Sequence, residues 1–293
     1  MIDNYLLEYL VAFAQTGTIA GAAEQLNVTQ PTVSRGLKKL EKLLNVKLFD
    51  RQPQKLSLTD TGKFTFQYAR TILRQQDDFK KAVQNFASKN DYLRVAGTIP
   101  GPLLLLESII DHPLNNQLVI EPKTILPQNI EPLLLNHNYS LIFSMHEIQT
   151  TDIESRYIGA EKLAIKITKY NPLYNRSNVT FNDLNGHEFV LSDNIGEWQQ
   201  IIKRYIPDAQ FLYQSQPKAL SELVRHSNFP IFKTNITDYL DRQLAFSDKK
   251  RKLIPINDSA ASVELYANYL KSDYSKVMPF ISEITNVLTK IRA

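Results

Sequence analysis

Apolar and polar positions recur with a helical period from the start of the chain. Tyr5, Leu6, Tyr9, Leu10 and Phe13 fall on one face and predict a first helix, closed by Gly17 as a left-handed cap. Thr18 suits the N-cap of a second helix over 19–26, and Asn27 tolerates the left-handed turn that follows. Thr29 then offers another N-cap, with Gln30-Pro31 opening a third helix, where proline is tolerated in the first turn. Val33, Leu37, Leu40 and Leu44 form that helix's apolar stripe. The small side chains of Ala22 and Ala23 let two helices cross closely, which predicts a helix-turn-helix. Val46, Leu48 and Phe49, then Leu56 and Leu58, bracket the polar tip Gln52-Pro53-Gln54-Lys55 and predict a small β-hairpin, or wing.

Thr59-Asp60 caps a longer helix reaching about Ser88. Along it Ala69, Ile72, Gln76, Phe79, Val83 and Phe86 step alternately by three and four, a heptad seam with one polar member, Gln76. The seam predicts pairing with a second copy of the chain; packing on its own domain is the alternative. After the polar break Lys89-Asn90-Asp91 the pattern changes. Strand signals at 92–98, 118–122, 140–143, 163–168, 188–191 and 210–213 alternate with helical ones at 103–110, 130–135, 198–205 and 218–226. A last helix carries Phe280, Ile281, Ile284, Leu288 and Ile291 on one face. Alternation on this scale predicts a layered α/β domain.

The chain has 293 residues, enough for two or three domains, and its 43% hydrophobic content can fill ordinary cores. No apolar run is long enough to span a bilayer, and the start lacks the basic lead of a signal peptide, so no membrane partner is expected. The absence of cysteine removes disulfides, thiolate metal sites and cysteine nucleophiles, and is compatible with a cytoplasmic setting. Charge is more informative in its distribution than in its net value of +4. The first ninety residues carry thirteen Lys/Arg against eight Asp/Glu, and Arg35, Lys38, Lys39, Lys42, Lys47, Arg51 and Lys55 crowd a stretch whose acids are Glu41 and Asp50. A localised basic patch fits phosphate binding. The outward residues of the third helix, Gln30, Thr32, Ser34, Arg35, Lys38 and Lys39, are types that bond base edges and phosphates, and Arg51 and Lys55 on the wing would reach the backbone or the minor groove. A protein-interaction module is the competing class, and it would show little salt dependence.

Enzyme chemistry has no foothold. His112, His137, His146, His187 and His226 are scattered without metal-ligand spacing, and no phosphate-binding glycine loop, HExxH or GxSxG elbow occurs. No catalytic residue, metal site or cofactor is expected.

The run Ala22-Ala23-Glu24-Gln25-Leu26-Asn27-Val28-Thr29-Gln30-Pro31-Thr32-Val33-Ser34-Arg35 resembles the LysR-type transcriptional regulators. So do Leu40-Glu41-Lys42-Leu43-Leu44-Asn45-Val46-Lys47-Leu48-Phe49-Asp50-Arg51 and the following Leu58-Thr59-Asp60-Thr61-Gly62. Thr29 stands where the family often has serine and Asn45 where it often has glycine, both keeping the capping or left-handed chemistry. The resemblance implies that Gln30, Pro31, Ser34 and Arg35 approach the major groove, that Thr18 and Arg51 lie near phosphates, and that the long helix mediates a homodimer, with homotetramers common in the family. A two-fold protein implies an inverted-repeat site on double-stranded DNA.

For the remainder, the resemblance implies a two-lobed, periplasmic-binding-protein-like α/β effector domain behind an N-terminal all-α winged helix-turn-helix and a long linker helix. Val179-Thr180-Phe181-Asn182-Asp183-Leu184-Asn185-Gly186 carries it best, whereas His137, Ser140 and the segment Asn228–Thr234 depart from the family pattern. The expected division is 1–58 for the winged helix-turn-helix, 59–89 for the linker, 91–161 with 268–293 for lobe I and 162–267 for lobe II, the chain crossing near Glu161 and Ala267. In such a fold a small-molecule effector sits between the lobes at strand ends. The expected lining is Thr98, Ile99, Pro100, Thr124, Ile125, Ser144, Ser192, Asp193, Asn194 and Phe232. RNA polymerase is a further candidate partner of such a regulator.

Overall fold

The computed structural model describes residues 2–52, 55–88, 92–110, 118–243 and 250–291. The expected wing tip at Pro53 and Gln54, the break at Lys89-Asn90-Asp91 and His112 lie outside the described residues, as does the side chain of Lys55. The chain divides into two compact units, Met1–Gln84 and Asn85–Ala293.

In the first unit, α1 (Asn4–Thr16) ends at left-handed Gly17, whose N–H donates to the Phe13 carbonyl. Thr18 caps α2 (Ile19–Gln25) by accepting from Gly21 N at 3.0 Å, as its position before an apolar turn predicts. α3 (Gln30–Leu44) starts with proline in its first turn and stops at left-handed Asn45. Its buried face is Val33, Gly36, Leu37 and Leu40. Gly36 is needed there: a Cβ would lie 2.3 Å from the Tyr9 ring, so only glycine lets α3 lie this close to α1. The wing strands β1 (Phe49–Gln52) and β2 (Lys55–Leu58) pair antiparallel, Phe49 opposite Leu58. Leu48 and Phe49 enter the core, Phe49 edge-on to Phe13 at 5.2 Å. Val46, grouped with them on hydrophobicity, stays exposed on the turn after α3. α4 (Asp60–Ser88) begins where Thr59 Oγ1 accepts from Gly62 N at 2.9 Å.

The second unit is an α/β fold in two lobes. The first is built on parallel β3 (Leu93–Gly97), β4 (Leu118–Ile120) and β5 (Leu141–Ser144), with α5 (Pro100–Ile109) and α6 (Ile130–Leu135) between them in sequence. β6 then runs from Ile153 to Thr168, far longer than the strand its apolar end predicts. The second lobe adds α7 (Phe181–Leu184), β7 (Glu188–Ser192), α8 (Trp198–Tyr205), β8 (Gln210–Gln214), α9 (Pro217–His226), β9 (Ile231–Thr234), α10 (Asn235–Gln243) and β10 (Arg251–Pro255). β11 (Ser262–Leu270) and α11 (Tyr274–Lys290) complete the chain's return. The described strands form one sheet in the order β4-β3-β5-β11-β6-β9-β7-β8, with β10 also on β6.

β6 joins the lobes. Through Lys162 it pairs with β11, and from Leu163 onward with β9 and β10. The outward crossing therefore falls beside Glu161. On the return, β10 ends at Pro255 and β11 takes up its pairing at Ser262, so that crossing lies before Ala267, which is already paired with Phe143 of lobe I. The core runs on through both lobes, from Val95, Leu106 and Phe143 to Ile165, Phe189 and Trp198, with Ile281 and Ile284 of α11 packed into it.

Candidate nucleic-acid interface and ligand cleft

Burying one face of α3 turns the other outward. Gln30, Pro31, Arg35 and Lys38 are exposed and Thr32 and Ser34 half-buried, so the residues expected at a duplex share one free surface with exposed Thr18. Thr29 and Thr32 bond to each other through their hydroxyls at 2.8 Å, and Arg35 Nε donates back to the Pro31 carbonyl at 3.2 Å, which steadies the guanidinium along the helix. Lys39 is drawn away from this surface: its ammonium donates to Tyr5 Oη at 2.7 Å and Asp3 at 3.1 Å, bonds that raise its pKa, the tyrosine first. Arg51 lies exposed on β1 and pairs with Glu41 at 3.0 Å. The other Glu41 oxygen accepts from the backbone N–H groups of Leu48 and Phe49, at 2.9 and 3.1 Å, so one carboxylate of α3 fixes the root of the wing.

On α4 the heptad residues divide. Ala69 is 1% exposed and belongs to the helix-turn-helix core. Gln76 accepts a hydrogen bond from Asn4. Ile72, Phe79 (70% exposed), Val83 and Phe86 stay open, and Phe64 and Tyr68 extend the same stripe one and two turns toward the start of the helix. Heptad reading missed this aromatic pair because it put the seam on Ala69. Phe86 also meets the His137 ring edge-on, centroids 5.2 Å apart.

The ten positions expected to line a cleft separate into two groups. Ser144 is buried and saturated, accepting from His146 N and Asn268 Nδ2 at 3.0 and 2.8 Å while donating to the His146 carbonyl. Thr98 and Ile99 are fully buried, and the Thr98 carbonyl accepts from Glu197 N at 3.1 Å. Thr124 donates through both its N–H and its hydroxyl to Asn194 Oδ1 at 3.1 Å, while Asn194 Nδ2 donates to the Pro122 carbonyl at 2.8 Å. His146 and Glu197 meet at 2.6 Å. At these strand ends the lobes are thus bonded to each other, with Ile125 half-buried and Asp193 exposed beside the clasp. Pro100, Ser192 and Phe232 instead line a cavity of about 660 Å³, walled mainly by β6, β7, β9, α8, α9 and α10. Its volume is that of a small-molecule site.

The cavity is apolar over Leu163, Val190, Trp198, Ile202, Ile231 and Phe232, but Glu161 opens onto it from mid-β6. Burial raises the Glu161 pKa to about 7; Thr234 and Trp198 pull it part of the way back. Neither donates to it with hydrogen-bond geometry: Glu161 Oε2 and Trp198 Nε1 have no partner among the described residues. Lys166, also in the cavity wall, is buried but neutralised, 2.7 Å from Asp238 and 3.3 Å from Asp241. Burial pushes the Asp238 carboxyl up, yet Lys166 and then Arg242 outweigh it and hold the pKa below the ordinary value. No three His, Cys, Asp or Glu side chains gather as a metal site among the described residues.

Residues 5–63 match the bacterial regulatory helix-turn-helix protein, lysR family. That segment of the chain is thus similar to the LysR-family helix-turn-helix. Among its relatives, the hydrogen peroxide-inducible genes activator of Haemophilus influenzae is 27% identical over 194 residues, 64% of each chain. The Hca operon transcriptional activator of Escherichia coli is 25% identical over 203 residues, 68% of this chain and 69% of that one. The match thus spans a little under two thirds of the first relative's length. CbnR, solved at full length complexed with target DNA, superposes with a TM-score of 0.52 at 18% identity, over 98% of this chain and 99% of its own, a likeness of fold. The matched segment includes the whole of α3 and both wing strands. The cavity has no counterpart in a sequence motif: Glu161 stands beside Lys162 in the polar part of β6, where only its burial distinguishes it, whereas Lys166 interrupts the apolar run from Leu163 to Ile167.

Proposed function

We propose that the chain is a sequence-specific DNA-binding transcriptional regulator, cytoplasmic and without enzymatic activity, whose second unit senses a small molecule. The observation that carries the DNA reading is the outward face of α3, where Gln30, Arg35 and Lys38 stand exposed beside the wing Arg51 on a helix whose opposite face is core. Bidentate Arg and Gln groups at the start of such a helix read base edges, with Pro31, Thr32 and Ser34 beside them at the major groove, while Thr18, Arg51 and Lys55 hold the phosphate backbone. Two relatives named as activators support this reading. The open stripe Phe64, Tyr68, Ile72, Phe79, Val83 and Phe86 supports pairing of two copies through α4, and hence an inverted-repeat site. Homotetramers and contact with RNA polymerase belong to the same reading. Residues 1–58 serve DNA, 59–89 pairing and the two lobes ligand.

The test is fluorescence anisotropy with the duplex upstream of the chain's own gene at two salt concentrations. Affinity should fall steeply with salt through counterion release. Arg35→Ala should cost about 1–3 kcal/mol of binding to the specific site and much less to unrelated DNA. Retained specific affinity in Ser34→Ala with Arg35→Ala, or affinity indifferent to salt, defeats the proposal.

A further inference from the structure

The cavity's charged groups are unevenly partnered. Its cationic groups are Lys166 of β6, Lys233 of β9 and Arg225 of α9; its acidic ones are Glu161 of β6 and Asp241 of α10, while α5, α8 and β7 contribute no ionisable group to the lining. Each cation of the lining already engages an acid: Lys166 with Asp238 and Asp241, Lys233 with the same Asp241 at 2.9 Å, and Arg225 with Glu222 at 2.9 Å, while Arg242 shares Asp238. Glu161, 1% exposed, has no ion-pair partner among the described residues. Its carboxylate instead rests on the first turn of α5, where a Cβ on Gly101 would come within 2.3 Å of Oε1. A helix N-terminus supplies only about half an elementary charge. The buried acid, with Oε2 unpartnered among the described residues, therefore faces a largely apolar cavity whose cations are all engaged elsewhere.

We propose that this cavity binds a small, largely apolar amine, its ammonium donating to Glu161 and its hydrocarbon body lying against Phe232, Ile231, Leu163 and Ile202. Lys166 and Lys233 are already held by Asp238 and Asp241, and a carboxylate placed beside Glu161 would meet a like charge, so the same arrangement disfavours acids. The inference rests on reading the second unit as a ligand sensor and deepens that reading by naming the ligand's chemistry.

The experiment uses the full chain and a matched set of probes, 2-phenylethylamine, 2-phenylethanol and 3-phenylpropanoate, followed by thermal shift and calorimetry at pH 8. The amine alone should raise the melting temperature in a concentration-dependent way, and Glu161→Gln should abolish the effect. In the unsubstituted chain, affinity for the amine should strengthen about tenfold from pH 6 to pH 8, because Glu161 ionises across pH 7 while the amine stays protonated. Equal shifts from the alcohol or the carboxylate, an amine shift kept in Glu161→Gln, a flat pH response, or no shift from millimolar amine each overturn the proposal. DNA binding by the unsubstituted chain without any probe, measured in parallel, reports on the regulator reading separately, so either can fail alone.

Discussion

Glu41 makes the position of the wing depend on one side chain. Replacing it with alanine removes the acceptor for two backbone donors, Leu48 N and Phe49 N, at residues that are 0% and 3% exposed. A lost hydrogen bond to a charged group costs about 1.5–3 kcal/mol, and a buried donor left without a partner keeps its desolvation cost. Because the Glu41 side chain is itself 18% exposed, water can reach part of the vacated site, which lowers the sum for the two donors to about 2–4 kcal/mol. The Arg51 pair adds little, since its guanidinium is largely in water. Glu41→Gln keeps an oxygen for the two N–H groups and should cost about 1 kcal/mol or less. The measurement is urea unfolding followed by a probe confined to the first unit, because two compact units need not unfold as one. A loss below about 0.5 kcal/mol in Glu41→Ala, or equal losses in both variants, would refute the assignment of that carboxylate as the wing's anchor.

Two further outcomes follow from exposure and burial. Phe79→Glu places a charge in the open stripe of α4 and should shift the chain to monomer in sedimentation velocity, with loss of affinity for an inverted repeat but folding retained; an unchanged dimer would move the interface elsewhere. Glu161 sets a pH dependence of stability. Its folded pKa of about 7 lies above the ordinary 4.5, so the native state holds a proton that the unfolded chain has released. Stability from this group is full below about pH 4.5 and declines until about pH 7, by roughly 3 kcal/mol in all. Glu161→Gln should remove that decline, gaining on the unsubstituted chain between pH 5 and pH 8 in urea titrations; parallel curves for the two proteins would refute it.

The first unit was legible because local chemistry and long-range packing agree in it. Thr18 caps α2, Asn45 turns left-handed after α3, and the stripe Val33, Leu37 and Leu40 is the buried face. The second unit was legible where strands are wholly apolar, as at Leu141–Ser144, and opaque where they are not. The first two thirds of β6 escape because Ser155 and Glu161 are buried polar residues that interrupt the alternation expected of a strand. β11 hides for a related reason: Asn268 lies in its core, held by Ser144, Ile142 and Ser155. Misjudging these strands also explains the cleft. The expected lining was drawn from strand ends, and the structure closes those ends with Asn194 and Thr124 while leaving space beside Glu161.

The unbroken course of β6 limits how a bound molecule can be felt elsewhere. No flexible loop separates the lobes on that pass of the chain: the strand is laddered to β11 on one side of the crossing and to β9 and β10 on the other. Swinging open like a jaw would tear that ladder, so any relative motion must be a small torsion of a common girder. One place on it is built to yield. Gly159, at φ +148, pairs with Leu265 where the β11 register slips, two residues before the carboxylate that faces the cavity. If a bound molecule twists the strand at Glu161, the strain would gather at that glycine, and a side chain there, whose Cβ would meet Leu288 at 3.2 Å, would stiffen the girder.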